Sequence, residues 1–208
     1  MKKGRLISFE GPDGAGKSTQ IKRLEAFLEA RGFPYICSRE PGGTPIGEKL
    51  RELILDKRYS EMSRRTEALL YAAARAQHVD EVIRPALEEG KIVICDRFTD
   101  SSIAYQGYGR TLGEDVIRAL NAFATKGLQP DLTVLLLLDP EEGMRRAEKR
   151  EALDRLESEA AAFRAKVNRG YLRIAEEEPD RVIYIDAGED IEDIAAQIRK
   201  RMEVFLEE

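Results

Sequence analysis

A glycine-rich segment near the start of the chain limits the possible folds more than any other feature. Residues 11–18 read Gly-Pro-Asp-Gly-Ala-Gly-Lys-Ser and fit the pattern G-x-x-x-x-G-K-[ST]. An apolar run at residues 6–9 precedes them as a strand would, and residues 19–30 follow with helical spacing. This order of strand, glycine loop and helix predicts a phosphate-binding loop at the edge of an α/β sheet.

Each residue type in this loop has a physical task at a nucleotide phosphate. Glycines let the backbone turn its N–H groups onto phosphate oxygens, Lys17 brings positive charge to the β- and γ-phosphates, and the Ser18 hydroxyl can bind Mg²⁺. The start of the following helix adds the positive end of its macrodipole. The predicted nucleotide-binding residues are Gly11, Pro12, Asp13, Gly14, Ala15, Gly16, Lys17, Ser18 and Thr19.

The composition argues against other classes of partner. The 208 residues include 34 Lys and Arg against 39 Asp and Glu, and the net charge of −5 disfavours general nucleic-acid binding. The apolar run at residues 132–138 is far too short to cross a membrane. Cys37 and Cys95 lie in predicted strands, and we expect both to be buried and reduced. We therefore expect a cytoplasmic protein that binds neither nucleic acid nor membrane.

The chain alternates apolar runs with stretches of helical spacing. Strands are predicted at residues 6–9, 35–38, 91–96, 132–139 and 182–186. Helices are predicted at residues 19–30, 46–55, 113–126, 155–178 and 191–207, and a long helix is predicted to start at residue 63 and to end at Gly90. This alternation predicts a single three-layer α/β domain over residues 1–208, in which helices flank a five-stranded parallel sheet.

Charged side chains follow the predicted strands, at the sheet edge where ligands of such sheets bind. Arg39 opens a segment that prolines and glycines keep irregular. Asp96 ends the third strand, where an acidic residue can hold Mg²⁺ or its water shell, and Arg97 comes next. Residues 101–110 are dense in hydroxyls and amides, which fits either a pocket for a polar ligand or a plain polar loop.

A cluster of cations follows the fourth strand, in residues 141–155. Its members are Arg145, Arg146, Lys149, Arg150 and Arg155. On a helix, positions four apart would stack like charges, so the cluster fits either an anion-binding segment or a solvated charged face. Several separated cation sites suggest that two phosphorylated ligands are brought together, which is what phosphoryl transfer between nucleotides requires.

Seven segments, in order along nearly the whole chain, resemble those of bacterial thymidylate kinases, which pass the γ-phosphoryl of ATP to dTMP. They are residues 9–18, 39–44, 67–75, 96–98, 105–110, 129–132 and 154–155. The resemblance implies a P-loop NTPase fold of the nucleoside monophosphate kinases, with ATP and Mg²⁺ as ligands and a homodimeric assembly. It also implies dTMP kinase activity, giving dTDP and ADP.

The same resemblance implies roles for residues that would bind dTMP. Arg39 and Arg97 would bind its phosphate, and Asp13 would approach the deoxyribose hydroxyl. Arg75 would donate to a thymine carbonyl, and Tyr71, where the family usually has Phe, would stack on the base. The base and sugar pocket would be lined by Ser101, Ser102, Tyr105 and Gln106.

For catalysis, the resemblance points to a lid of about residues 141–155. The phosphate loop has no basic residue before Lys17, whereas the segment after Asp139 is rich in arginine, so the chain resembles the class whose lid supplies the catalytic cation. The catalytic residues would be Lys17, Arg97, Arg146 and Arg150, and Mg²⁺ would be held by Ser18 and Asp96.

Two other hypotheses stay open at this point. One is another nucleoside or nucleoside-monophosphate kinase, with a broader choice of pyrimidines because of Tyr71. The other is a phosphate-loop ATPase that signals to a protein partner, since one fold can host either role. The second hypothesis predicts ATP turnover without an acceptor nucleotide, and the paired Arg39 and Arg97 segments argue against it.

Overall fold

A computed structural model describes residues 4–139, 142, 145, 154–156 and 159–207. The lid predicted at about residues 141–155 falls mostly outside these ranges. The predicted catalytic residues Arg146 and Arg150 both lie outside the described residues.

The sheet has five strands, all parallel, as the sequence predicts. They are β1 (Arg5–Glu10), β2 (Tyr35–Arg39), β3 (Ile92–Asp96), β4 (Leu132–Leu137) and β5 (Val182–Asp186), in the order β2-β3-β1-β4-β5. Asp96 in the central region of the sheet is in register with Phe9 of β1 on one side and with Arg39 of β2 on the other. The register therefore brings the carboxyl ends of these three strands to one edge, where the phosphate loop begins.

Helices account for most of the remaining described chain. They are α1 (Lys17–Ala30), α2 (Pro45–Leu55), α3 (Arg64–His78), α4 (Arg84–Glu88), α5 (Thr99–Ser102), α6 (Glu114–Thr125), α7 (Ala161–Glu177) and α8 (Ile191–Glu207). A π-helical turn, Val79–Ile83, joins α3 to α4, and a second one, Ile103–Gly109, extends α5. Such turns are rare and occur often at functional sites.

Local sequence explains where several helices begin and end. The Thr44 side chain caps α2 by accepting from the Gly47 N–H at 2.9 Å, and a proline follows at the first helical position. The Ser63 side chain caps α3 in the same way, accepting from the Thr66 N–H. Gly32, with φ of 71°, supplies the left-handed backbone that terminates α1.

Two apolar layers cover the faces of the sheet because side chains alternate along each strand. On one face, residues from β1, β3 and β4 pack against α1 and α8: Ile7, Phe9, Leu24, Leu28, Ile94, Val134, Ile198 and Met202 are members. On the other face, β4 packs with the second π-helical turn, α6 and α7, through residues such as Ile103, Ile117, Leu135, Leu137 and Ile174. The predicted three-layer α/β architecture is confirmed.

Four details differ from the sequence-based predictions. The helix predicted from residue 155 begins only at Ala161, because the Arg155 guanidinium is buried and its Nε donates to the Ile54 carbonyl at 2.8 Å. The long helix predicted from residue 63 is interrupted by the first π-helical turn. Residues 101–110 are mostly helical or π-helical, so the plain-loop interpretation is wrong. Cys37 is exposed because β2 is an edge strand, whereas Cys95 is buried as predicted.

Across the described part of the chain, every helix is too short or too polar to span a membrane.

Candidate active site

The phosphate loop connects the buried end of β1 to the start of α1. Gly11 has φ of 128°, and a Cβ added there would overlap the carbonyl oxygen of Leu136 on β4, so only glycine fits. Gly16, with φ of 86°, turns the backbone into α1. The N-terminus of α1 therefore lies at the carboxyl edge of the sheet, as the sequence predicts.

Lys17 is held inside this loop. Its Nζ donates to the carbonyl oxygens of Gly11 and Pro12, both at 3.0 Å. Burial, with a smaller contribution from the charge of Arg97, lowers the pKa of the Lys17 ammonium to about 8. Because burial has already removed water from this ammonium, its attraction to a nearby phosphate is screened less than it would be in water.

Arg97 reaches from the end of β3 to the phosphate loop. Its Nη2 donates to Asp13 Oδ1 at 2.7 Å and its Nη1 to the Gly11 carbonyl at 2.8 Å. The guanidinium carbon also lies 5.3 Å from the centre of the Tyr105 ring, in a cation–π contact. Because the backbone, a carboxylate and a ring all hold it, this cation has one defined orientation.

Two cavities open beside these residues. We call the first the loop cavity; it is lined by Gly14, Gly16, Lys17, Ser18, Arg39 and Asp96. We call the second the inner cavity; it is lined by Leu55, Tyr71, Arg75, Ser101, Ser102, Tyr105, Gln106 and Leu156. Both cavities are also lined by Asp13, Glu40, Arg51 and Arg97. A ligand in each cavity would therefore meet the other at these four side chains.

The predicted site residues thus gather around two adjoining spaces. The inner cavity contains eight of the nine residues predicted to bind dTMP. The ninth, Arg39, lines the loop cavity with Lys17, where its Nη1 and Nη2 donate to the two carboxylate oxygens of Glu48, each at 3.0 Å. Asp96 and Ser18, predicted to hold Mg²⁺, line the loop cavity together.

Arg75 is a buried side chain whose guanidinium has several protein partners. Its Nε donates to Glu40 Oε2 at 2.8 Å, its Nη1 to Ser102 and Asn121, and its Nη2 to the Phe98 carbonyl. Counted over the described part of the chain, these bonds use four of the five N–H groups that an arginine has. One N–H on Nη2 is left for a ligand in the inner cavity.

His78, which has no predicted catalytic role, supports the same cluster. Its Nδ1 lies 3.0 Å from Glu40 Oε1, and its Nε2 lies 2.7 Å from the Ser38 hydroxyl. The ring is fully buried, so it orients Glu40 behind Arg75 and does not face either cavity.

Glu67 joins the inner cavity to the segment that follows the predicted lid. Its buried carboxylate accepts from Gln106 Nε2 at 3.0 Å, pairs with Arg110, and lies 2.8 Å from Arg155 Nη2. The neighbours of Arg155 in the sequence, Asp154 and Leu156, line the inner cavity. Glu67 thus fixes the wall of the cavity through two hydrogen-bonded side chains and one ion pair.

Sequence reasoning missed four residues of this site: Glu40, Arg51, Glu67 and Asp154. Arg51 lines both cavities from α2 and donates to the Pro41 carbonyl at 2.9 Å. Burial, and the nearby charge of Arg39, lower its pKa. The available signal was the position of α2, which starts directly after the irregular segment at the carboxyl edge of the sheet.

The chemistry of Asp96 suits a hard cation. Its Oδ1 is buried, and no group in the described ranges forms a hydrogen bond with it. A buried carboxylate oxygen without a partner is costly unless a ligand or water satisfies it. Together with the Ser18 hydroxyl, it offers the oxygen ligands that Mg²⁺ takes beside a nucleotide phosphate.

The fold and the two cavities define a phosphate-loop nucleotide-binding protein with room for a second ligand beside the first. The model of the thymidylate kinase family matches residues 9–198. The chain is 52% identical to a thymidylate kinase of Geobacillus sp. (strain WCH70), over 93% of each sequence. It is 50% identical to one of Desulfovibrio desulfuricans, over 97% of this chain and 96% of the relative. It is 51% identical to a thymidylate kinase of Lactobacillus helveticus, over 99% of each sequence. The chain belongs to the thymidylate kinase family.

Proposed function

We propose that this protein is a dTMP kinase, which transfers the γ-phosphoryl of ATP to dTMP and gives dTDP and ADP. One observation carries the proposal beyond family membership: the loop cavity and the inner cavity share Asp13 and Arg97. A donor phosphate at Lys17 and an acceptor phosphate in the inner cavity would therefore face each other across these side chains. Phosphoryl transfer needs this in-line arrangement more than it needs covalent chemistry from the protein.

The acceptor would lie in the inner cavity. Arg97, with Arg39, binds its phosphate, and Asp13 approaches the sugar hydroxyl. Tyr71 stacks on thymine, while the remaining N–H of Arg75 donates to a base carbonyl. The polar groups of Ser101, Ser102, Tyr105 and Gln106 line the rest of this cavity.

The donor would lie on the phosphate loop. The backbone N–H groups of residues 11–19 and the Lys17 ammonium bind the ATP phosphates. Ser18 and Asp96 hold Mg²⁺, which supplies charge neutralisation on the phosphates when bound. Lys17 and Arg97 add fixed positive charge where negative charge develops on the transferred group, so no strong general base is required.

The lid is part of the proposal although its central residues lie outside the described ones. Arg146 and Arg150 would contribute the cation that the phosphate loop lacks, and closure over the nucleotides would exclude water. Glu67 supports this assignment, because through Arg155 it anchors the chain directly after residues 141–153 to the inner cavity.

We also propose that the chain is one domain over residues 1–208 and forms a homodimer. Large apolar side chains are exposed on the neighbouring helices α3 and α6: Leu69, Val116 and Phe123, the last with 85% of its surface accessible. Exposed apolar side chains on neighbouring helices favour a second copy as partner. Sedimentation at micromolar concentration tests the homodimer: Phe123→Asp should shift the dimer toward monomer, and a wild-type monomer would contradict the proposal.

We further propose a cytoplasmic location, which the two free cysteines, Cys37 and Cys95, support.

A coupled assay with ATP, Mg²⁺ and one monophosphate at a time tests the proposed activity. We expect dTMP to be phosphorylated with a larger kcat/KM than dUMP, dCMP or AMP. Steady ATP hydrolysis without an acceptor would favour a phosphate-loop ATPase and contradict the proposal. Equal use of several pyrimidine monophosphates would favour the broader kinase, for which Tyr71 is the motivating residue.

A further inference from the structure

Glu10 is a fully buried carboxylate at the end of β1, directly before the phosphate loop. One of its oxygens, Oε1, accepts the Phe98 N–H at 2.7 Å. The other, Oε2, accepts the Ser101 hydroxyl at 2.5 Å. Both partners belong to the segment that follows β3 and carries Arg97. Glu10 therefore connects the base of the phosphate loop to the turn on which Arg97 lies.

The backbone at Arg97 needs such support. Its φ of 68° lies in the left-handed region, which residues with a Cβ rarely adopt. Strand β1 holds both peptide N–H groups of this turn: the Arg97 N–H donates to the Phe9 carbonyl at 2.9 Å, and the Phe98 N–H donates to Glu10. Without the bond to Glu10, only the bond from Arg97 to Phe9 would hold the strained backbone of this turn to β1.

The Arg97 side chain is connected to the same carboxylate. Its Nη1 donates to the hydroxyl oxygens of Ser101 and Tyr171, each at 3.3 Å. The Ser101 hydroxyl in turn donates to Glu10 Oε2. The Tyr171 hydroxyl lies 2.9 Å from Ser101 Oγ and 3.3 Å from Glu10 Oε2, so its one proton is shared between these two acceptors. Burial, with a smaller contribution from the charge of Asp100, raises the pKa of Glu10 to about 7. In its ionised form the carboxylate only accepts hydrogen bonds, so it draws the Ser101 hydroxyl proton toward itself and leaves the lone pairs of that oxygen for the guanidinium.

We propose that Glu10 is a positioning residue for phosphoryl transfer, which fixes both the backbone turn and the guanidinium of Arg97. This inference rests on the acceptor-phosphate role proposed above for Arg97. Glu10 itself lines neither cavity, so it acts through Arg97 and not on a substrate.

Glu10→Gln keeps the shape of the side chain but supplies a donor where Ser101 or Phe98 needs an acceptor. Because burial raises the pKa of Glu10 to about 7, the assay is run about one pH unit above that value, where the carboxylate is ionised. There we expect kcat/KM for dTMP to fall about 10- to 100-fold, as is typical when a charged hydrogen-bond acceptor is lost. The KM for ATP should change less than about twofold, because Lys17 does not contact Glu10 through a hydrogen bond. Ser8→Ala is the matched control: it removes a buried hydroxyl of the same strand that bonds Thr133, and its kinetics should match the wild type.

A double-mutant cycle with Arg97→Ala separates positioning from a general structural effect. If Glu10 acts through Arg97, Glu10→Gln should change kcat/KM by less than about twofold in the Arg97→Ala background. An equal loss in both backgrounds would overturn the inference. Wild-type activity of Glu10→Gln together with impaired activity of Arg97→Ala would also overturn the inference, because Arg97 would then function without the Glu10 carboxylate. Normal activity of Arg97→Ala would instead overturn the role of Arg97 on which the inference rests.

Tyr171→Phe provides a second route to the same question if Glu10→Gln does not fold. It removes one hydroxyl between Glu10 and Arg97 and keeps the buried ring. We expect a loss of about threefold in kcat/KM for dTMP, as for one neutral hydrogen bond, and no further loss in the Arg97→Ala background. A loss of equal size in both backgrounds would overturn the inference.

Discussion

Arg39 ends β2, Arg97 follows the neighbouring strand β3, and both line the loop cavity, yet the protein holds them in different ways. The Arg97 side chain is 16% exposed and is fixed by Asp13, the Gly11 carbonyl and the network behind it. The Arg39 side chain is 47% exposed, and its main partner is Glu48, a carboxylate on the protein surface. Arg97 is oriented before any ligand arrives, whereas Arg39 must exchange one anionic partner for another.

This difference would let one sheet edge combine catalysis with ligand exchange. A preorganised cation stabilises developing charge without moving during the reaction. A surface ion pair contributes little to stability and separates easily in water. Arg97 thus suits the reacting phosphate, and Arg39 suits the capture and release of a phosphorylated ligand.

The strongest expected effect comes from Arg97→Lys, which keeps the positive charge and removes the paired N–H donors of the guanidinium. A lysine cannot donate to both Asp13 and Gly11 in the arginine geometry, so we expect kcat/KM for dTMP to fall about 100-fold. Steady-state kinetics with varied dTMP would measure this loss. An activity within a factor of about three of the wild type would mean that the orientation of this cation is unimportant.

A third cation extends the comparison to the lid. Arg150→Ala should lower kcat about tenfold, because a charge that acts on the transferred group contributes mainly in the transition state. The affinity for dTMP, measured by calorimetry without ATP, should change little. Arg145→Ala is a suitable control, since this side chain is exposed and pairs with Glu142 on its own segment. An unchanged kcat would remove Arg150 from the mechanism.

Arg39→Lys is the matched partner of the Arg97 substitution. Because Arg39 acts mainly as an exposed charge, we expect kcat/KM for dTMP to fall only about threefold. The same assay applies to both variants. Losses of equal size at the two positions would break the comparison, because they would show that Arg39 is as strictly oriented as Arg97.

The smallest effect should come from Glu48→Gln. The hydrogen bonds from Arg39 lower the pKa of Glu48, so this carboxylate is ionised at neutral pH and competes with phosphate for Arg39. Its removal should lower the KM for dTMP about twofold, within the small range typical of exposed ion pairs. Added salt should reduce the difference between variant and wild type by screening the pair. A raised KM would indicate that Glu48 orients Arg39 for binding.

Most of the fold was predictable because its signals are local. Apolar runs, glycine and proline positions and helical spacing identify the strands, and parallel pairing of alternating strands and helices leaves few topologies. The start of α7 was predicted wrongly at residue 155, because the buried ion pair between Arg155 and Glu67 is a tertiary contact that no spacing rule contains.

The candidate site was predictable where residues follow strand ends or match a family segment. The phosphate loop, Asp96 and Arg97 are of this kind. Arg51 carried no such signal, and Glu10 lies in a family segment at a strand end without any sign of what its carboxylate contacts. Glu10 is one charged residue in a buried strand, and its importance depends on partners that are 88 and 91 positions away. Only the folded structure brings those partners to it.

The central claim is that two nucleotides meet at Asp13 and Arg97, one from each cavity. A crystal structure with dTMP and a non-hydrolysable ATP analogue tests it most directly. We expect thymine against Tyr71, the dTMP phosphate in contact with Arg97, and the γ-phosphate of the analogue beside Lys17 in line with it. A dTMP bound outside the inner cavity, or with its phosphate directed away from Arg97, would contradict the account.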